Sequence, residues 1–493
     1  MLALRNCFKG IKILLTAPSD AAADVLATRL VPHFDTSQLF RLYYWQRPRS
    51  AVPTTLLPYT KSYSRLNLKG ERYLGHSQAD IANSYLFEMP PLHELEKFEI
   101  IVSTCGLSGA LAQFDNADSK LQFDVVMVDE AANALEAEVL VPISLCKSNG
   151  CMVLAGDPMQ LSASVRSPLT SRFQLFSSIL ERLLRGSVYR DVSVSMNTKN
   201  LSLPIMEAVV DAHDSKSKLG DNNNGIFLTK NYRSNPAIIG LSSKIFYHSS
   251  LCSAGDPAIT NSLVDCVVLR NKKFPCMFVG VEASHEREDI DSPSFYNINE
   301  LLKIRELIVS MVHDSKQVQA KEVGVICAFR SQVLRMRVVL REAGLSDVNV
   351  GSIEDYQGQE NRVIIISTVL SSRVIPFEDH EGNHALIGDF RRFNVAITRA
   401  IALCIVVGNP YHLHADKRCW YKFLKYCHEN DSLVDCPSGL FQTPATSENS
   451  KTVDISSILE KLNLYCVEDS ETDANSKTHL KFANADLQWR VML

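Results

Sequence analysis

Eight short, uninterrupted apolar runs recur along the chain. They are IKILLTA (11–17), FEIIVST (98–104), FDVVMVD (123–129), CMVLAGD (151–157), CMFVGV (276–281), VGVICAF (323–329), RVIIISTV (362–369) and ALCIVV (402–407). A strand with one face in water alternates apolar and polar residues. A continuous run instead predicts a strand buried on both faces, as in a parallel sheet. Helix-like segments lie between several runs, among them 21–30 and 332–343. The second ends at Gly344, a suitable C′ glycine. Strand–helix alternation of this kind specifies an α/β protein with doubly wound parallel sheets.

The 493 residues are enough for two or three domains. Two blocks stand out, residues 1–185 and 226–415. The stretch between them, 186–225, contains SKSKLGDNNNG and reads as a solvated loop or insertion. Residues 416–493 form a C-terminal extension that turns polar and acidic after about residue 430, and it is expected to be mostly disordered. One amphipathic piece, 453–465, reads as a frayed surface helix.

The net charge of −4 does not announce a nucleic-acid binder, so any such surface must be a local patch. No apolar stretch approaches the roughly 18 residues of a membrane span, and no membrane partner is expected. The basic N-terminus reads as the approach to a buried strand rather than as a targeting peptide. Thirteen cysteines occur without C-x-x-C pairs, and several sit inside apolar runs, which suits a reducing, cytoplasmic compartment. His412, His414, Cys419, Cys427, His428 and Cys436 match no common zinc spacing.

Five segments carry chemistry. Asp129 and Glu130 end the run 123–129, which places two carboxylates in the ligand crevice of a parallel sheet. Asp129 suits Mg²⁺ through its water shell, and Glu130 suits an attacking water. A strand leading into an acidic helix start is the plain alternative. Gly156-Asp-Pro-Met-Gln-Leu161 follows the next run, and the Gln160 amide could report on a terminal phosphate. Thr229-Lys-Asn-Tyr-Arg-Ser-Asn-Pro236 opens the second block, with Tyr232 suited to stacking on a base and Arg233 to an arginine finger. In Gly351-Ser-Ile-Glu-Asp-Tyr-Gln-Gly-Gln-Glu360, Glu360 could accept from ribose hydroxyls while Gln357 and Gly358 admit a ligand. The segment 388–402, GDFRRFNVAITRAIA, sets Arg391, Arg392 and Arg399 on a helix entering a strand. The planar guanidinium fork suits phosphate.

In order and spacing these segments resemble motifs II, III, the tyrosine-arginine segment, V and VI of superfamily 1 helicases, specifically the Upf-like branch. Ala17-Pro-Ser-Asp20 resembles its motif Ia. Arg41-Leu42-Tyr43, the segment 292–297 and the stretch 354–370 make the Armitage and silencing-defective RNA helicases the nearest resemblance, over residues 11–430. The resemblance implies two RecA-like domains, with ATP and Mg²⁺ between them and RNA across their tops. It assigns Asp129 and Glu130 to metal and water, Gln160 to phosphate coupling, Tyr232 to adenine, Glu360 to ribose, and Arg233 and Arg399 to the γ-phosphate. Ser19 and Thr104 would touch the RNA backbone. The implied partners are single-stranded or duplex RNA and proteins of silencing or mRNA decay, with the chain a monomer.

The sequence departs from the family in three places. No G-x-x-x-x-G-K-[ST] string occurs, so the amides and lysine that cradle phosphates are not supplied by a loop of that kind. Only ten residues precede Ile11, and the expectation is a chain that begins beyond that loop and is impaired as an ATPase. Asn133 stands where the family usually has glutamine. Motif Ia ends in Asp20 rather than asparagine, which suits a helix N-cap but adds negative charge near a phosphate path. The rival readings are a nucleotide-independent RNA-binding scaffold and a DNA helicase of the senataxin type.

Between residues 41 and 72, seven basic residues, including Arg47, Arg49 and Arg65, stand against the single acid Glu71. Tyr43, Tyr44, Trp45, Tyr59 and Tyr63 are interleaved. Charge for phosphates and aromatic faces for bases are what single-strand binding needs, and an insertion over about 41–95 is expected to provide it. A solvated insertion whose aromatics pack on the domain is the alternative.

Overall fold

A computed structural model describes residues 8, 10–64, 85–114, 121–163, 165, 177–186, 225–287, 294–371 and 386–441. Arg65, Lys69, Arg72, residues 187–224 of the stretch 186–225, and the piece 453–465 lie outside the described residues.

The first half is a five-stranded parallel sheet. Its strands are β1 (Ile13–Ala17), β2 (Leu39–Arg41), β3 (Ile100–Thr104), β4 (Phe123–Val128) and β5 (Cys146–Leu154), in the order β2-β3-β1-β4-β5. Ile13 pairs with Ile100 on one side and Val125 on the other. Alternate side chains feed two clusters, one on each face. Ile13, Leu15, Val102 and Val125 enter one; Leu14, Phe40, Ile101 and Val126 enter the other. Each such side chain contributes roughly 1.5–3 kcal/mol on burial, which is why these runs are continuous.

The last strand departs from that expectation. β5 pairs only with β4 and lies at the sheet edge, so Met152 and Val153 are 55% and 40% exposed. It also starts earlier than its apolar run. Residues 147–150 bulge between the pairs Phe123–Cys146 and Val125–Cys151.

Helix α1 (Asp20–Leu30) follows β1, α2 (Glu136–Ile143) follows β4, and α3 (Ile179–Leu184) comes after β5. Ser19, not Asp20, caps α1. Its Oγ accepts from the Ala22 N–H at 3.2 Å, and Asp20 is the first helical residue.

The second half is a six-stranded parallel sheet of β6 (Cys276–Gly280), β7 (Val323–Cys327), β8 (Asn349–Gly351), β9 (Asn361–Ser367), β10 (Ala400–Gly408) and β11 (Leu433–Val434), in the order β8-β7-β9-β10-β6-β11. Its helices include α4 (Pro236–Phe246), α5 (Ile298–Val309), α6 (Arg330–Glu342), α7 (Phe390–Ile397) and α8 (Trp420–Glu429). Gly344 follows α6 in the left-handed region, φ +71°, as its place after the helix predicted.

This half runs past residue 415, further than the sequence suggested. α8 buries Trp420, Phe423, Leu424 and Cys427, and β11 adds a strand beside β6. Four apolar residues at helical spacing inside a polar stretch are enough to dock it.

Candidate functional site

Parallel pairing puts every strand's carboxyl end at one edge of its sheet. In the first half the chemistry-bearing loops leave from that edge, whereas in the second half Glu360 and Arg399 immediately precede β9 and β10, at the amino edge. At the end of β4, the Asp129 N–H donates to the Thr16 carbonyl at 2.8 Å. Glu130 takes φ +52°, a left-handed conformation unusual for a non-glycine residue. The turn is held by the Ala131 N–H on the Ala155 carbonyl at 2.8 Å. A Cβ at Gly156 would stand 2.8 Å from the Ala132 nitrogen, so only glycine lets the two loops approach.

Burial pushes the carboxyls of Asp129 and Glu130 above their ordinary range. The Asp129 charge raises Glu130 further, while Arg399 and a hydrogen bond from Gln357 oppose the shift. Asp157 organises the next loop: it accepts from the Met159 N–H and from Gln160 Nε2, both at 2.9 Å.

The second half meets these loops with cations and amides. Arg399, 3% exposed, donates Nε to the Val395 carbonyl at 3.1 Å and Nη2 to Gln160 Oε1 at 3.2 Å. Burial and the neighbouring Arg233 lower its pKa to about 10, and it remains charged at neutral pH. Arg233 pairs with Glu360 and donates Nη1 to the Thr398 carbonyl at 3.3 Å. Gln357 faces both Glu130 and Asn133. Gly358 takes φ +74° with open space where a Cβ would point, and the Tyr232 ring is 70% exposed beside Arg233.

Asp129, Glu130, Gln160, Arg233, Gln357, Glu360 and Arg399 thus come together. Ser19 follows β1 and Thr104 ends β3, one and two strands away from β4 on the same carboxyl edge. Both oxygens serve as helix caps, Thr104 accepting from the Leu107 N–H at 3.3 Å.

Three arginines have other employment than the sequence suggested. Arg391 donates to Glu181 Oε1 at 2.7 Å and to the Pro158 carbonyl at 3.0 Å. Arg392 pairs with Glu354 and Asp389. Arg47 is bound to Asp24 at 2.8 Å, and its Nη1 lies 2.7 Å from Asp20, near enough to pair in charge though not in line for a hydrogen bond. Arg41 is fully buried on the same two aspartates, and both guanidinium groups lie over the Tyr43 ring, 4.2 Å and 4.8 Å from its centroid. The charge added by Asp20 is therefore neutralised within the fold, and so is that of Arg47. Arg49 reaches Ser62 at 3.3 Å.

Asp129 has the chemistry of a metal-binding carboxylate: half-buried, desolvated, and with no donor but the backbone of Glu130 among its causes of shift. No group of three protein ligands exists among the described residues.

Four residues here were given no role by the sequence: Asp157 and Asn394, which lie inside the segments 156–161 and 388–402, and Glu181 and Tyr247, which lie outside all of them. Their partners on the opposite lobe are 90 or more positions away in sequence.

Two parallel-sheet lobes that set an Asp-Glu pair against two arginines define the class: a two-lobed α/β protein with its site between sheet edges. Comparison with known proteins agrees. Two models, each described as an AAA domain, match residues 83–168 and 204–411. The human RNA helicase Mov10l1 is 34% identical over 427 residues, covering 86% of this chain and 31% of that protein. The putative helicase mov-10-B.1 of Danio rerio is 32% identical, covering 85% and 38%. The probable RNA helicase armi of Drosophila melanogaster is 29% identical, covering 88% and 35%. Among solved structures, an Arterivirus nonstructural protein 10 helicase complex with DNA aligns at 12% identity and a TM-score of 0.33, over 83% of this chain and 57% of that one. The chain is similar over most of its length to the RNA helicases Mov10l1 and armi, the resemblance its motifs led one to expect. It spans between 31% and 38% of the length of these relatives.

Proposed function

We propose that this chain is the core of an RNA helicase of the silencing or mRNA-turnover type, with ATP and Mg²⁺ between its lobes and single-stranded RNA across the sheet edges. The observation that supports it is the contact of Arg399 with Gln160 beside Glu130, which sets a buried cation of one lobe against the acids of the other. Mg²⁺, when bound, would offset phosphate charge beside Asp129. Glu130 would orient a water and accept its proton, a role helped by its raised pKa. Arg399 and Arg233 would meet charge on the transferring phosphoryl group, with Gln160 linking them to the first lobe. Tyr232 offers an exposed face to a base, and Glu360, held by Arg233, a carboxylate to a ribose.

The 493 residues contain no G-x-x-x-x-G-K-[ST] string. Two guanidinium groups cannot by themselves hold a triphosphate in line for attack, and turnover by residues 1–493 alone is expected near background. That same feature favours a second reading, a nucleotide-independent RNA-binding scaffold. Binding therefore separates the two. A fluorescent ATP analogue with Mg²⁺ should bind weakly, and more weakly in Arg399→Ala. RNA affinity should respond to the nucleotide. RNA binding that is indifferent to Mg²⁺·ATP in wild type and in Glu130→Gln would establish the scaffold.

A further inference from the structure

The loop carrying Gln160 is gripped from the other lobe by a buried node centred on Tyr247, a residue outside every motif segment. Tyr247 follows α4 and is 4% exposed. Its hydroxyl donates to Asp157 Oδ2 at 2.6 Å and accepts from Asn394 Nδ2 at 2.8 Å. The same Asn394 amide donates to the Met159 carbonyl at 2.9 Å, and Asn394 Oδ1 accepts from the Ser242 hydroxyl. Asp157 Oδ2 also accepts from Gln160 Nε2, whose amide oxygen faces Arg399. One carboxylate oxygen is thus shared between the Gln160 amide and a phenol of the opposite lobe.

The node is rigidly built. His248 and Ser249, directly after Tyr247, both take positive φ, +49° and +61°. Two successive non-glycine residues in that region are strained, and persist only where the surroundings hold them. The Ser249 N–H on the Ser243 carbonyl at 2.9 Å and the Ser250 N–H on the Tyr247 carbonyl at 2.8 Å hold them there. Phe227 and Phe246 flank the Tyr247 ring. Nothing in the core requires a hydroxyl at this place; a phenylalanine would fill the same space.

We propose that Tyr247 is a positioning residue that acts through Asp157 to aim the Gln160 carboxamide at Arg399, so that the first lobe's phosphate-facing loop is set by docking of the second. The role in nucleotide binding rests on the function proposed above. The latch itself rests only on the contacts described.

The test is Tyr247→Phe in the full chain, read by amide hydrogen exchange and by titration with a fluorescent ATP analogue and Mg²⁺. Loss of a hydrogen bond to a carboxylate should speed exchange of the Met159 and Gln160 amides about tenfold or more, with the β1 and β4 amides unchanged. Asp157→Asn, which keeps the shape, should do the same. Analogue affinity should fall in Tyr247→Phe but not fall further when Tyr247→Phe is added to Gln160→Ala, because the tyrosine acts through that glutamine. Uniform acceleration across the chain, no change at 157–161, or equal losses in both backgrounds would overturn the latch. If wild type binds no analogue while exchange still responds locally, the proposed function fails and the latch stands.

Discussion

Asn133 Nδ2 donates to Gln357 Oε1 at 2.7 Å, joining two loops 224 residues apart. Gln357 also hydrogen-bonds Glu130. A single carboxamide of the second lobe therefore reads two groups of the acid-bearing loop of the first: its oxygen meets Asn133 and its amide meets Glu130. The position where the family usually carries glutamine holds asparagine here. The shorter side chain still spans the gap because the Asn133 N–H is folded back onto the Glu130 carbonyl at 2.8 Å.

This bridge predicts coupled effects. Asn133→Ala and Gln357→Ala should each lower stability by about 1 kcal/mol, the net contribution of one neutral hydrogen bond. The double variant should cost clearly less than the sum. Denaturant melts of the four proteins check it, and strict additivity would show that the two amides do not meet in solution.

The ion pair between Arg391 and Glu181 is a harsher case. The Glu181 side chain is 3% exposed and Arg391's 18%. Removing the guanidinium leaves a buried carboxylate with only the Ser177 hydroxyl at 3.4 Å as a side-chain donor. Arg391→Met should destabilise by about 3–5 kcal/mol, while adding Glu181→Gln should restore most of the loss, since a buried charge without its partner costs more than no charge at all. Equal melting points for the single and double variants would refute the pairing.

These contacts also mark what the sequence could tell. Eight apolar runs announced eight strands, seven of them because a strand buried on both faces has no option but continuity, with the edge strand β5 the exception. Asp129, Glu130, Gln160, Arg233 and Arg399, which the structure brings together, could be singled out because each sits in its own local pattern. Tyr247, Asn394, Glu181 and Asp157 were not, since their meaning lies in partners on another lobe. The stretch 41–64 misled for a related reason. Its basic residues are dense in sequence, but the acids that neutralise Arg41 and Arg47 lie on α1, some twenty positions earlier.

That neutralisation gives a prediction for Arg47. A side chain held by two aspartates has little charge left for a phosphate. Arg47→Ala should therefore lower stability by about 1–3 kcal/mol, by leaving Asp24 short of a donor. It should change the slope of log affinity against log salt for single-stranded RNA by clearly less than the roughly 0.7 of one lost phosphate contact. A slope change of that full size, with stability intact, would return Arg47 to the nucleic-acid surface.

The last prediction concerns pH. Glu300 on α5 is fully buried beneath the end of β9. Its Oε2 accepts from the Ser367 hydroxyl at 2.6 Å and the Val369 N–H at 3.0 Å, and its Oε1 has no partner. It thereby pins Val369, a β-branched residue at φ +67°. Burial raises its pKa from 4.5 to about 7, against the pull of those donors. A carboxyl with a raised folded-state pKa binds its proton more tightly in the native chain than in the unfolded one. The stability this contributes is complete below the unfolded value near 4.5 and is lost as pH rises through about 7. The interval is worth about 3 kcal/mol at 1.36 kcal/mol per unit. Wild type should melt at progressively lower temperature between about pH 5 and pH 8, whereas Glu300→Gln, which cannot ionise, should show a flatter profile. Because all other titrating groups are shared, the difference between the two curves isolates this carboxyl. Parallel curves would mean that Glu300 enters the fold without its proton.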